Sequence, residues 1–309
     1  MRKKIKVWIE YIAVRFAESV FQSVSRPLSL KWGEWLGVIF SIFLSQRKRL
    51  IIENLEHAFP EKKFSEIKKI ARAVWRNLGK TAVEFIRLDE INQDNYPEFV
   101  TFEGEETVRK AAREGRGLIF IGFHMANWEL TGYVTSLHFG NLTVIARPIK
   151  NPLVDNWVQS KRKKGGFEII PHRNAVKGSL GNLRMKKYVG ILVDQNLYEG
   201  GVFVDFFGRP AATTTLPAIL YDRTKAPLLI VYSLRQGGKF KIVYEGPLNL
   251  PDVPDPKERL FLHTQIINNE LEKIIRKNPE SWFWIHNRWK RRPENAAGGE
   301  NMAGASPDE

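Results

Sequence analysis

Cysteine is absent from the 309 residues. That removes disulfides, thiolate catalysis and thiolate metal sites, and it suits a reducing compartment. Histidine is scarce, at six, and His57, His138, His263 and His286 stand too scattered for a ligand set, so no metal is expected. No phosphate-loop or Gly-x-Gly-x-x-Gly pattern occurs, which speaks against a nucleotide cofactor. No serine sits in a Gly-x-Ser-x-Gly elbow. Long apolar runs are missing as well. Residues 5–24 are interrupted by Glu10, Arg15 and Glu18, and Trp35 to Leu44 has about half the length that a bilayer crossing needs. A small-residue cleavage site after a short apolar core is also lacking, so a signal peptide is not expected. Negative charge is in deficit: 34 Asp and Glu stand against 48 Lys and Arg, a formal net charge of +14.

The excess positive charge is concentrated early, because residues 1–80 hold 17 Lys and Arg against 7 Asp and Glu. Such a field attracts nucleic acid, anionic lipid or an acidic protein. The 9 Trp and 19 Phe favour a membrane surface, where aromatic rings settle at headgroup level, over nucleic acid. In residues 5–24 the apolar positions Ile5, Ile9, Ile12, Phe16 and Val20 recur at helical spacing. Together with 35–44 they suggest a helical hairpin that dips into one leaflet, with Arg47, Lys48 and Arg49 on phosphates. The competing reading packs both segments on the core as ordinary helices.

Two helices are expected through 48–90, the second capped by Ser65, with a break at Phe59-Pro60. From Phe99 onward, short apolar runs alternate with amphipathic segments. Strands are expected at 99–103, 118–123, 142–147, 168–170, 189–193 and 228–234, with helices of ten to fifteen residues between them. Such alternation implies βαβ units. Lys239–Tyr244 follows Gln236-Gly237-Gly238 closely enough to pair as a hairpin, and a last helix is expected over 257–278. The fold class is therefore α/β, a mixed and largely parallel sheet flanked by helices. The expected organisation is an N-terminal helical, membrane-associating region (1–90), the α/β domain (91–292) and a disordered tail (293–309).

One stretch organises the chemistry: Gly117 to Tyr133, Gly-Leu-Ile-Phe-Ile-Gly-Phe-His-Met-Ala-Asn-Trp-Glu-Leu-Thr-Gly-Tyr. A buried strand runs into a helix, with His124 in the turn and Glu129 in the first helical turn. Five residues turn a continuous helix by about 140°, so the two can meet only if His124 lies before the helix. His124 could then act as a base with Glu129 orienting its imidazole. Asn127 is most simply the helix cap, or else it helps to shape the pocket. In open α/β sheets ligands bind at the carboxyl ends of strands, where Arg147, Pro171-His172-Arg173 and Asp194-Gln195-Asn196 also fall. Arg147 could bind a phosphate or an oxyanion, and Asp194 could either close a turn or pair with Arg147. Lys161 to Lys164 is by default a solvated helix end, and alternatively a surface for an acidic carrier protein. In Ser281 to Lys290, packing is the expected role of Trp282 and Trp284, while His286, Arg288 and Lys290 could face a headgroup.

These pieces resemble the bacterial lipid A biosynthesis (late) acyltransferases, the lauroyl/myristoyl acyltransferase group, over roughly residues 5–292. The central motif, usually close to His-Phe-Gly-Asn-Trp-Glu, stands here as His124 to Glu129. Arg147 to Pro152 matches Arg-Pro-x-x-Asn-Pro. Asp194-Gln195 and Phe206 to Thr213 match a third and fourth stretch, Glu53 to Pro60 an N-terminal one, and Asn278 to Lys290 a C-terminal one. The resemblance implies a glycerolipid-acyltransferase-like fold and transfer of a fatty acyl chain from acyl-acyl carrier protein to a hydroxyl of a lipid A precursor. That would take place at the cytoplasmic face of the inner membrane, without a cofactor. His124 and Glu129 carry over as the catalytic pair, and Asn127, Arg147, Asp194 and Gln195 as substrate-binding candidates. Ala126 stands where a Gly is usual, and Leu216-Pro217 where Gly-Pro is frequent. Related branches acylate phosphatidylinositol mannosides or other lipids, which is the alternative acceptor class.

Overall fold

A computed structural model describes residues 2–293. The expected disordered tail, apart from Pro293, lies outside the described residues. Four helices come first: α1 (Arg2–Gln22), α2 (Arg26–Phe43), α3 (Ser45–Ala58) and α4 (Phe64–Ile86). The expected Ser65 cap lies inside α4. Its first turn is closed by Glu66, whose carboxylate accepts the Lys63 N–H at 3.0 Å. The alternating part then runs α5 (Tyr96–Phe99), β1 (Val100–Glu103), α6 (Glu105–Ala112), β2 (Leu118–Gly122), α7 (Trp128–Phe139), β3 (Leu142–Ala146) and α8 (Pro152–Lys164). It continues through β4 (Glu168–Pro171), α9 (Ala175–Arg184), β5 (Tyr188–Leu192), β6 (Val202–Phe206), β7 (Arg209–Thr213), α10 (Leu216–Thr224), β8 (Leu228–Gln236), β9 (Lys239–Glu245) and α11 (Pro256–Lys277).

Seven strands form the sheet in the order β1-β9-β8-β2-β5-β3-β4. All neighbours are parallel except β8 and β9, which form the expected antiparallel hairpin. Side chains alternate across a strand, so Leu118 and Phe120 enter the core beneath α6 and α7. Ile119 and Ile121 enter the other, which the C-terminal tryptophans close. Between β5 and β8, where a single helix is expected, α10 begins only at Leu216, because 202–213 is a two-stranded hairpin, β6 on β7. Its two-residue turn places Phe207 at φ 56° and Gly208 at φ 75°, the conformation that Asn-Gly normally supplies.

The N-terminal helices depart from the expected leaflet hairpin. Each instead docks on a different part of the protein. The buried residues of α2 are Ser29, Gly33, Gly37 and Ser41, and a Cβ on Gly79 of α4 would overlap the Gly33 carbonyl. Such close backbone approach needs side chains this small. The α2 and α3 axes are bent by 99°, and among the described residues no single helix is long and apolar enough to cross a membrane.

α1 turns a narrow face inward, Val7, Tyr11, Val14, Ala17, Glu18 and Phe21, and polar contacts anchor it. Glu18 accepts from Trp157 Nε1 at 3.0 Å and lies 2.7 Å from Lys161 Nζ. Glu10 accepts from Asn151 at 2.8 Å. The apolar stripe Ile5, Trp8, Ile9, Ile12 and Phe16 points outward, 51–69% exposed. An ordinary core helix would do the reverse.

Candidate active site

The parallel register of β2 and β5 builds the site. Gly122 pairs with Leu192, so two residues further along each chain His124 and Asp194 leave the sheet side by side. His124 Nδ1 lies 2.8 Å from Asp194 Oδ1, and its backbone N–H donates to Oδ2 at 2.9 Å. Trp282 Nε1 donates to the same Oδ2 at 2.7 Å. Burial opposes the charge on Asp194, but the His124 charge and these hydrogen bonds outweigh it and push the carboxyl down to about 2. An ionised Asp194 fixes Nδ1 as the protonated ring nitrogen and leaves Nε2 as the basic one. Gln195 Nε2, on an exposed side chain, lies 3.2 Å from His124 Nε2.

Asp194, rather than Glu129, is therefore the imidazole's partner, and Asp194 makes no pair with Arg147. Glu129 faces Arg162 in a two-point ion pair, with Arg162 Nε at 3.0 Å and Nη2 at 2.6 Å. Burial works against the Arg162 charge, yet Glu129 overrides it and raises the guanidinium's pKa. Arg162 escaped the sequence reading because it sits in a basic run. The structure divides that run: Lys161 is buried between Glu18 and Asp89, Lys164 reaches Asp89, and Lys163 is exposed.

Asn127 is fully buried and its amide is engaged by the fold. Its Oδ1 caps α7 by accepting from Leu130 at 2.9 Å, and its Nδ2 donates to Glu84 at 3.1 Å. Arg235 holds Glu84 from the other side at 2.7 Å. Ala126 takes φ 46°, the left-handed conformation that explains why glycine is usual there. Its N–H donates to Ser281 O at 2.7 Å, and its carbonyl accepts from Thr81 at 2.8 Å. Arg147 stands exposed at the end of β3, and among the described residues no ion pair holds it.

The C-terminal segment is a wall of the site. Trp282 does more than pack, since it donates to Asp194. Arg288 is fully buried rather than turned to a headgroup. Its Nη1 donates to Ala212 O at 2.6 Å, and burial lowers its pKa to about 10. His286 accepts the Asn196 N–H at 2.9 Å. Burial pushes it down to about 4, against the pull of Asp194 and with help from the positive charges of His124, Arg288 and Arg47.

A narrow apolar cavity of about 90 Å³ opens beside Trp128. Trp128, Glu129, Ala146 and Leu192 lie toward the carboxyl edge of the sheet; Phe120, Leu142 and Phe167 lie deeper. Gly122, Gly132 and Gly190 line it without side chains. Trp128, which lines the cavity, has its ring 4.8 Å from the His124 ring.

The comparisons with known proteins point to acyl transfer. Residues 2–291 match the family described as bacterial lipid A biosynthesis acyltransferase. The chain is 27% identical over 273 residues to the lipid A biosynthesis palmitoleoyltransferase of Escherichia coli, covering 86% of each. It is 24% identical over 293 residues to the lipid A biosynthesis lauroyltransferase of the same organism, covering 94% of each. A phosphatidylinositol mannoside acyltransferase of Mycobacterium tuberculosis is 25% identical over 190 residues, 60% of this chain and 58% of that one. With the family match spanning the sheet, the corner and the C-terminal wall, the chain belongs to the bacterial lipid A biosynthesis acyltransferases.

Proposed function

We propose that this protein transfers a fatty acyl chain from an acyl-acyl carrier protein thioester to a hydroxyl of a lipid A precursor. The observation that carries the reading is His124, held by Asp194 with Nε2 turned to the open edge, beside a cavity shaped for a hydrocarbon chain. His124 Nε2 removes the proton as the acceptor oxygen attacks the thioester carbonyl. The tetrahedral intermediate then expels the carrier's thiolate, which takes the proton back from the imidazolium. One ester C–O bond forms, one C–S bond breaks, and the proton ends on sulfur. A thioester brings a good leaving group, so no covalent enzyme intermediate is needed. Asp194 stabilises the transient imidazolium. Glu129 acts through Arg162 at the rim of the cavity, Gln195 is placed to meet the incoming hydroxyl, and Arg147 to meet an anionic group of either substrate. A lipid A precursor is favoured over a mannoside because the lipid A relatives align over most of both chains.

We also infer work at a membrane surface, on the cytoplasmic face of the inner membrane. Supporting this are the outward apolar stripe of α1 and the exposed Trp32, Trp35, Phe40 and Phe43 of α2, flanked by exposed Arg47, Lys48 and Arg49. The test is turnover of acyl-carrier thioesters with lipid A precursors, followed by mass analysis. His124→Ala should lower kcat about 10²–10⁴-fold, the usual worth of a positioned base. Near wild-type turnover in that variant would refute the mechanism.

A further inference from the structure

The face of α4 that meets the turn after His124 is polar and buried. Thr81 and Glu84, one helical turn apart, are 7% and 3% exposed, and Asn77 stands one turn before them. Arg235 of β8 reaches all three. Its Nε and Nη2 hold the Glu84 carboxylate at 3.0 and 2.7 Å. Nη2 also donates to Thr81 Oγ1 at 2.7 Å, and Nη1 lies 3.5 Å from Asn77 Oδ1. Each partner passes one bond onward. Thr81 Oγ1 donates to the Ala126 carbonyl at 2.8 Å, and Glu84 accepts from Asn127 Nδ2 at 3.1 Å. Asn77 Nδ2 donates to Glu280 O at 2.8 Å, next to the Ser281 carbonyl that takes the Ala126 N–H.

A buried ion pair such as Arg235 with Glu84 adds little net stability, because apolar residues of the same volume usually hold a helix to a sheet as well. What it supplies is direction. Ala126 takes φ 46°, a left-handed conformation that an alanine disfavours by about 5- to 30-fold in population. Both flanks of that residue are tied, its N–H to Ser281 and its carbonyl through Thr81 to Arg235. The turn has no slack, since residues 123–127 alone join β2 to α7. A change in the Ala126 backbone therefore displaces His124. We propose that Arg235, acting through Thr81, is a positioning residue that keeps Ala126 left-handed and so aims the His124 imidazole. The proposal rests on the acyltransferase reading above.

Two variants separate aim from stability. Arg235→Lys keeps a positive charge beside Glu84 but loses the fork that grips Glu84 and Thr81 together. Thr81→Val keeps the ion pair and loses only the hydroxyl, and it serves alone if Arg235→Lys fails to fold. Both leave the bond between Asn127 and Glu84, so α7 keeps its cap and the loss belongs in kcat, with KM for donor and acceptor as in wild type. Each is expected to lower kcat about 5- to 30-fold, the worth of the conformation that is no longer held. In an Ala126→Gly background the same change should cost about threefold or less relative to Ala126→Gly alone, because glycine takes positive φ without being held. A merely structural role predicts a loss that follows Tm and is equal in both backgrounds; that result would overturn the proposal, as would wild-type kcat in Thr81→Val. If wild type acylates no lipid, it is the acyltransferase reading that fails, and the hold on the turn is then read without turnover. Amide hydrogen exchange across residues 124–127 should be faster in Thr81→Val than in wild type by the same factor, and equal exchange would overturn the proposal.

Discussion

At the residue scale, the candidate site rests on which carboxylate meets the His124 imidazole. The motif puts Glu129 in view because it is near in sequence, whereas Asp194 arrives through the sheet from seventy positions away. The spacing of His124 and Glu129 was legible, but the pairing read from it was not the one formed: strand order brings Asp194 to the imidazole and Glu129 meets Arg162. Asp194→Asn would remove the acceptor for Nδ1–H and let the wrong tautomer form, an effect worth about 10²–10⁴-fold in kcat. Glu129→Gln should instead leave Arg162 uncompensated at the cavity rim, lowering Tm and raising KM for the donor while the pH–rate profile keeps its shape. Kinetics of the two variants with one donor decide the matter. If Glu129→Gln lost as much kcat as Asp194→Asn at unchanged Tm, Glu129 would be the imidazole's working partner.

At the scale of elements, glycine carries opposite meanings in two helices. Gly79 of α4 lies against the backbone of α2, so Gly79→Ala must push the helices apart. Overpacking of this kind costs about 1–3 kcal/mol. Gly132 of α7 faces open space, where an alanine gains about 1 kcal/mol of helix propensity. Calorimetry should therefore show Tm falling in Gly79→Ala and holding or rising in Gly132→Ala; a fall in both would mean that α7 has no such space.

Periodicity located β2 to β5, β8 and β9 to within about two residues, because alternation and helical spacing are local. It missed the β6–β7 hairpin, whose turn is Phe207-Gly208 rather than Asn-Gly. Tertiary contacts hold that turn: Glu272 accepts the Phe207 N–H at 2.6 Å, and Arg276 sits 4.7 Å over its ring. The amphipathic pattern of α1 was legible too, but a pattern does not say which face the protein keeps.

At the scale of the whole molecule, buried charge links the catalytic corner to acid stability. His286 has its pKa depressed to about 4, below the ordinary value near 6.5. The folded state therefore favours neutral His286, and the unfolded chain takes up the proton first. Its contribution is complete above about pH 6.5 and is lost as pH falls toward 4, a loss on the order of 3 kcal/mol, of which about 2 is gone by pH 5. Thermal unfolding at pH 7 and pH 5 should show a drop in Tm that His286→Gln largely removes; an equal drop in the variant would assign the acid sensitivity elsewhere. The glycine of α7 has a consequence for descent. Gly132 lines the cavity and a Cβ added there meets nothing within 4 Å, so, on the proposed reading, single substitutions at that position can retune the chain a lineage transfers without touching the imidazole.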